Sequence, residues 1–234
     1  MINYSRCPKR VRFQCGFTLT ELAIVLIIVA FLISGMLMPL SAQKDLQDTS
    51  ETQKQLAEIK EALLGFAVMN KRLPCPDTDS DPAASGYGLE EPSCTSTVTE
   101  EGYLPWRTLG VSTMDAWGTR RTAASSPRLG DWRYRVDRNF ANSTSLISLT
   151  TGFSTDSLVI QDHGGINLTS TTERPIAIVF STGRNHAPDG QNNSYEGTSG
   201  IYEAGERTTN FDDVIIWISR PVLFNRLISA GRLP

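Results

Sequence analysis

From Leu22 to Gln43 the chain reads LAIVLIIVAFLISGMLMPLSAQ without a single charge, and no other stretch of its 234 residues restricts the fold as strongly. At about 1.5 Å per residue the run makes about 33 Å of helix, the depth of a hydrocarbon core of about 30 Å. Ahead of it stand Arg6, Lys9, Arg10 and Arg12, with no acid before Phe17. By the positive-inside bias this asymmetry puts residues 1–16 in the cytoplasm and the bulk of the chain across the membrane. A cleaved secretory signal competes with this reading, because Leu40-Ser41-Ala42 resembles a weak small-residue cleavage site before Gln43. Against it, the apolar run exceeds the 7 to 15 residues of a signal h-region, and Glu21 sits just inside its start. A carboxylate in a transmembrane helix costs up to about 2.5–3.5 kcal/mol at the centre and usually has a partner. Its own helix offers Glu21 none on this reading, which leaves two options: a shallow position reaching the headgroups, or a cation at the same depth on another molecule.

Beyond the apolar run the helical pattern continues. Leu56, Ile59, Leu63, Phe66 and Ala67 recur at three- and four-residue steps, with Asp48, Glu51, Lys54, Glu58 and Glu61 on other faces. The spacing predicts one helix from about Thr18 to Asn70, bent at Pro39 or straight, and ended by Leu73-Pro74. The remainder alternates short β-rich runs, at 132–136, 157–161, 176–180 and 214–218, with turn-rich loops. The longest loop, 182–210, has no apolar periodicity, and 222–230 is suited to a short helix with Gly231 as C-cap. The expected class is α+β: a long N-terminal helix, half transmembrane and half amphipathic, packed on an antiparallel β-sheet head.

The run Gly16-Phe17-Thr18-Leu19-Thr20-Glu21-Leu22, after a short basic leader and before an apolar helix, resembles the cleavage and methylation signal of type IV pilins and type II secretion pseudopilins. The resemblance implies that prepilin peptidase cuts between Gly16 and Phe17 and methylates Phe17. It also implies that Glu21, the fifth mature residue, serves assembly by pairing with the N-terminal amine of a neighbouring subunit. The chain then divides into a cleaved cytoplasmic leader (1–16), a transmembrane and filament-core helix (17–42), an amphipathic half of the same helix (43–72) and a periplasmic α+β head (73–234). The implied location is the bacterial inner membrane, single-pass, followed by a pilus or pseudopilus. The implied partners are prepilin peptidase, other pilins or pseudopilins, an inner-membrane assembly platform and the lipid bilayer. Loss of the leader takes the basic residues from 22 to 18 against 25 acids, so the mature net charge falls from −3 to −7. The alternative is a signal-anchored periplasmic domain that binds a partner and does not polymerise.

Of the four cysteines, Cys7 and Cys15 fall in the leader, whereas Cys75 and Cys94 fall in the exported part, where disulfides persist. Their pairing would close a loop of 18 residues and contribute about 3 kcal/mol on the chain-entropy model.

No cofactor is certain from the sequence, and the one candidate is calcium. Asp77, Asp79 and Asp81 form a D-x-D-x-D run of hard oxygen donors, yet Pro82 and Gly88 stand where an EF-hand requires glycine and glutamate, so a solvated acidic turn competes with a metal loop. The order Asp115-Ala116-Trp117-Gly118, then Ser181-Thr182-Gly183, then Asp212-Asp213-Val214-Ile215-Ile216-Trp217 is similar to the C-terminal half of the major pseudopilin of type II secretion. That resemblance implies a calcium loop using Asp189, Asp212 and Asp213, with Asn185 as a further donor; Asp212 or Asp213 ending a strand is the competing reading.

An enzyme is not expected. The two histidines, His163 and His186, have no metal-type partner at i+4, and the residues around Ser181 make no G-x-S-x-G elbow. Arg120, Arg121, Arg128, Arg133, Arg135 and Arg138 form a basic neighbourhood, but Asp131 and Asp137 interrupt it, which argues against nucleic acid as a partner.

Overall fold

The computed structural model describes residues 18–94, 101–155, 157–194 and 200–233, without the side chains of 35–41, 101 and 194. The chain divides into two units, 1–46 and 47–234. Helix α1 is Leu19–Asn70. In the first unit its side chains from Leu19 to Ile33 are exposed, several by more than half. Among the described residues no helix is long and apolar enough to cross a membrane. The expected span of 17–42 includes side chains outside those described, and the apolar stretch 22–34 that is described falls short of the about 20 residues a span requires.

The second unit begins with the amphipathic half of α1. Leu56, Ile59, Leu63, Leu64 and Ala67 are buried there, on the stripe that three- and four-residue spacing predicts. Phe66 lies at the stripe's edge, half-buried under the Arg72 guanidinium, 5.3 Å from its ring centre. The helix ends at Lys71, whose positive φ of 54° bends the chain away before Pro74.

After α1 come β1 (Glu101–Tyr103), a single helical turn α2 (Trp106–Leu109), β2 (Arg133–Val136), the turn α3 (Arg138–Ala141), β3 (Val159–Gln161), β4 (Pro175–Ser181), a 3₁₀ turn at Gly190–Ser194, β5 (Ile201–Glu203), β6 (Val214–Ser219) and α4 (Arg220–Ser229). Strands β1, β2, β4 and β6 form one antiparallel sheet in that order, with Tyr134 opposite Val179 and Ile178 opposite Trp217. Strand β4 is buried along its whole length. Ile176, Ala177 and Val179 join the main core with α1 and with Leu223 and Leu227 of α4, whereas Ile178 and Phe180 pack under Leu158, Ile160, Tyr202 and Ala204. Cover on both faces is why β4 reads as an unbroken apolar run rather than an alternating one.

Two expectations are corrected. The strand foreseen at 157–161 does not join the antiparallel sheet: it is β3, which pairs in parallel with β5 over Val159↔Ile201 and Gln161↔Glu203. The stretch 182–210 is not structureless, since it holds the 3₁₀ turn and β5. Neither piece has enough residues to show periodicity; each is held by side chains from elsewhere, as when Asn192 exchanges hydrogen bonds with the backbone of Glu203. The C-terminal helix starts two residues earlier than its pattern suggests, with Pro221 in its first turn, and Gly231 just beyond it takes a φ of 66°.

Candidate functional site

Gly16 and Phe17 lie outside the described residues. Glu21 is described, and it does have a partner within its own helix. Thr18 N–H and Thr18 Oγ1 each donate to Glu21 Oε2 at 2.8 Å, while Glu21 N–H donates to Thr18 Oγ1 at 3.3 Å. This is a reciprocal capping box, Thr18-x-x-Glu21, which satisfies backbone donors that the first turn otherwise leaves open. The Thr-x-x-Glu spacing is itself a sequence signature of such a cap. A cut between Gly16 and Phe17 leaves Thr18 N–H an ordinary amide, so the box survives processing.

Far along the chain, three separated segments are bonded into one cluster. Asp115, nearly buried, accepts from Trp117 N–H at 3.0 Å, which shapes the Asp115-Ala116-Trp117-Gly118 turn, and from Ser181 Oγ at 2.5 Å. Burial pushes the Asp115 carboxyl up to about 6. Ser181 Oγ in turn accepts from Gly183 N–H at 3.0 Å. Gly183 has a φ of 62°, and a Cβ there would lie 2.5 Å from the carbonyl oxygen of Asp212, so only glycine fits. The loop that it shapes delivers the N–H groups of Arg184 and Asn185 to Asp212 Oδ2 at 3.0 and 3.2 Å.

At this point Asp189, Asp212 and Asp213 converge, with one carboxylate oxygen of each within 4.8 Å of the others. Backbone bonds tie them together: Asp189 N–H donates to Asp213 Oδ2 at 2.9 Å, and Asp212 N–H donates to Asp189 Oδ2 at 2.8 Å. Asn192, fully buried, donates its Nδ2 to Asp213 Oδ2 at 2.9 Å. Two acceptors remain open, since buried Asp212 Oδ1 and Asp213 Oδ1 have no hydrogen-bond partner among the described residues. Burial, and then the negative neighbours, push the Asp213 carboxyl up to about 7. The Asp212 carboxyl is also raised, by burial first and then by Asp189. A hard cation would relieve both the charge crowding and the orphan oxygens, and an all-oxygen donor set suits calcium. Asp212 and Asp213 also immediately precede β6, so the strand-end reading and the cluster hold together.

Asn185 does not present a ligand atom. Its Nδ2 donates to both oxygens of Asp189, at 3.1 and 3.2 Å, and its Oδ1 accepts from Ala187 N–H. It neutralises Asp189 as a donor and would have to turn its amide over to coordinate a metal. Asn192 was not foreseen, because a lone Asn in a polar loop gives no sequence signal.

The alternative at Asp77, Asp79 and Asp81 does not assemble. Asp77 is fully buried and accepts from Arg128 Nη2, Asp79 N–H and Gly88 N–H, while Asp81 caps its own turn through Ala83 N–H. Arg128 also bonds Asp131 at 2.7 Å, so Asp77 belongs to a buried charge network and not to a metal loop. Cys75 and Cys94 form the disulfide, with Cα atoms 5.5 Å apart in the main core. His163 is held between Glu203 Oε1 and the carbonyl of Glu206, a loop-pinning arrangement that raises its pKa.

Residues 11–37 match the family model described as the prokaryotic N-terminal methylation motif. No curated protein and no solved structure matches the chain.

Proposed function

We propose that this chain, which carries the prepilin-type signal of type IV pilins and pseudopilins, is a non-catalytic structural subunit of a type II secretion pseudopilus or a type IV pilus. The observation that carries this reading is the motif match at 11–37, a stretch that includes Gly16, Phe17 and Glu21. Prepilin peptidase removes 1–16 and methylates Phe17. The uncharged stretch within 17–42 then anchors the mature chain in the inner membrane with its head in the periplasm. After extraction, that stretch packs against other pilins or pseudopilins in the filament core, driven by van der Waals contact between apolar side chains. The exposed apolar side chains from Leu19 to Ile33 suit both environments. Residues 43–72 and 73–234 form the outward-facing part, where calcium held by Asp189, Asp212 and Asp213 would stiffen the loop that carries β5 to β6. The intramolecular disulfide supports an exported head.

The capping box favours a second reading of Glu21, in which the carboxylate is satisfied locally and the chain is a membrane-anchored domain that does not polymerise. Glu21→Gln separates the two. Glutamine serves a capping box as glutamate does, but it cannot pair with an ammonium group. Intact mass and N-terminal sequencing of protein recovered from membranes come first: a chain starting at methylated Phe17 is expected, and a start at Met1 or Gln43 would end the filament reading. Filament assembly should then fail with Glu21→Gln and with Glu21→Ala alike. Normal filaments with Glu21→Gln would reduce Glu21 to a helix cap.

A further inference from the structure

A polar cavity of about 360 Å³ shares no lining residue with Asp189, Asp212 and Asp213 and has the opposite charge. Three arginines, Arg107, Arg120 and Arg121, line it together with Tyr87, Trp106 and Met114, and among the described residues no acidic one does. Among the described residues none of the three arginines is ion-paired. Arg107 spends Nη1 on the carbonyls of Ser85 and Tyr87, and Arg120 is exposed.

Arg121 is the informative residue. It is nine-tenths buried, and its Nε and Nη2 donate to the carbonyls of Ser126 and Ala124 at 2.9 and 2.8 Å. Those bonds fix the guanidinium plane. The third nitrogen, Nη1, is buried with no hydrogen-bond partner among the described residues, and the guanidinium carbon lies 5.9 Å from the centre of the Tyr87 ring. A buried donor left open on a charged group costs more than an ordinary unmade bond. The neighbouring cation Arg128 shows the contrast, since its charge is met by both Asp77 and Asp131.

We propose that this cavity binds a carboxylate carried on an apolar or aromatic stem. The fixed Arg121 guanidinium offers a planar donor edge, the geometry that carboxylates and phosphates both match. Of the two, the carboxylate fits better. Only one of the three cations is rigid and buried, which balances a single negative charge, whereas a phosphate dianion loses more hydration on entry. The Tyr87, Trp106 and Met114 walls give an apolar stem somewhere to pack, which a free phosphate would not use. The carboxylate source is a small organic acid or an Asp or Glu side chain of a peptide. This site is independent of the motif match and of the acidic cluster.

The test uses the full chain in detergent micelles, labelled with 5-fluorotryptophan, with the Trp106 signal assigned by Trp106→Phe. Sodium benzoate, the capped dipeptide acetyl-Phe-Glu-amide, inorganic phosphate and sodium chloride at matched ionic strength are titrated in turn. The Trp106 signal should shift saturably with benzoate or the dipeptide and not with chloride. Tighter binding of the dipeptide would assign the site to an acidic side chain, and tighter binding of benzoate to a free acid. Arg121→Lys keeps the charge but loses the fork, and should weaken binding roughly tenfold. Arg120→Gln, on an exposed side chain that the fold does not need, should weaken it roughly two- to fivefold. Absence of saturation by both carboxylates, an equal response to chloride, tighter binding of phosphate, or unchanged affinity in both variants would each overturn the proposal.

Discussion

Replacing Asp213 by Asn should make the metal-free protein more stable at pH 8 and abolish stabilisation by calcium. Asp213 is 2% exposed and its carboxyl is pushed up to about 7, against a reference value of 3.8. A raised folded-state pKa means that the native protein holds this proton more tightly than the unfolded chain. Its contribution is therefore fully present below about pH 4 and is lost as pH rises through 7. About three pKa units correspond to about 4 kcal/mol of native-state cost once Asp213 is ionised. Asparagine removes that charge. Its Oδ1 can still accept from Asp189 N–H and Asn192 Nδ2, the bonds that Asp213 Oδ2 now takes at 2.9 Å each, and its Nδ2 would fill the place of the orphan Oδ1. The value of about 7 already includes what those two bonds give the ionised carboxylate, so with the neutral forms equal at pH 4 the net gain at pH 8 is about 4 kcal/mol. For a chain of this size that is roughly 8–16 °C in Tm. Thermal unfolding followed by circular dichroism, in chelator at pH 4 and pH 8, should show variant and wild type equal at pH 4 and the variant higher at pH 8. With calcium at about 100 times its Kd the wild type should gain about 2.7 kcal/mol and the variant much less. A variant less stable than wild type at pH 8 in chelator, or one that calcium stabilises as much as wild type, would refute the argument.

Three other perturbations test neighbouring parts of the molecule. Gly183→Ala forces a Cβ at positive φ into Asp212, so it should lower Tm and reduce calcium-dependent stabilisation together, a pair of losses that calorimetry with and without calcium would detect. The double change Cys75→Ser, Cys94→Ser should cost about 3 kcal/mol by denaturant unfolding, and equal stability with and without reductant in the wild type would contradict that. Arg128→Met leaves Asp77 and Asp131 buried without their cation; the expected loss is about 3–5 kcal/mol at pH 7, and a midpoint unchanged in urea would show that the network contributes nothing net.

The legible parts of this protein were those set by residues close together in the chain. The N-terminal signal, the uncharged run and the Leu56-Ile59-Leu63 stripe each depend on spacings of a few residues. The buried strand 175–181 announced itself because both of its faces are covered. Even the capping box was a three-residue pattern, visible once Thr18 and Glu21 are considered together. The gathering of Asp189 with Asp212 and Asp213 was suggested by a resemblance, and no local rule would have produced it.

What the sequence determined by itself was therefore the helix, its amphipathic register, the processing signal and the identity of the cysteines able to pair, because backbone propensity and hydrophobic period act over one or two turns. Only the tertiary structure decided that β3 and β5 pair in parallel, that Asn185 faces Asp189 with its amide nitrogen, that Asp77 is spent on Arg128, and that Arg121 is left with an open donor. Each of these depends on which polar groups lose water together when distant segments pack. That cost belongs to the assembled interior and is written in no single stretch of the chain.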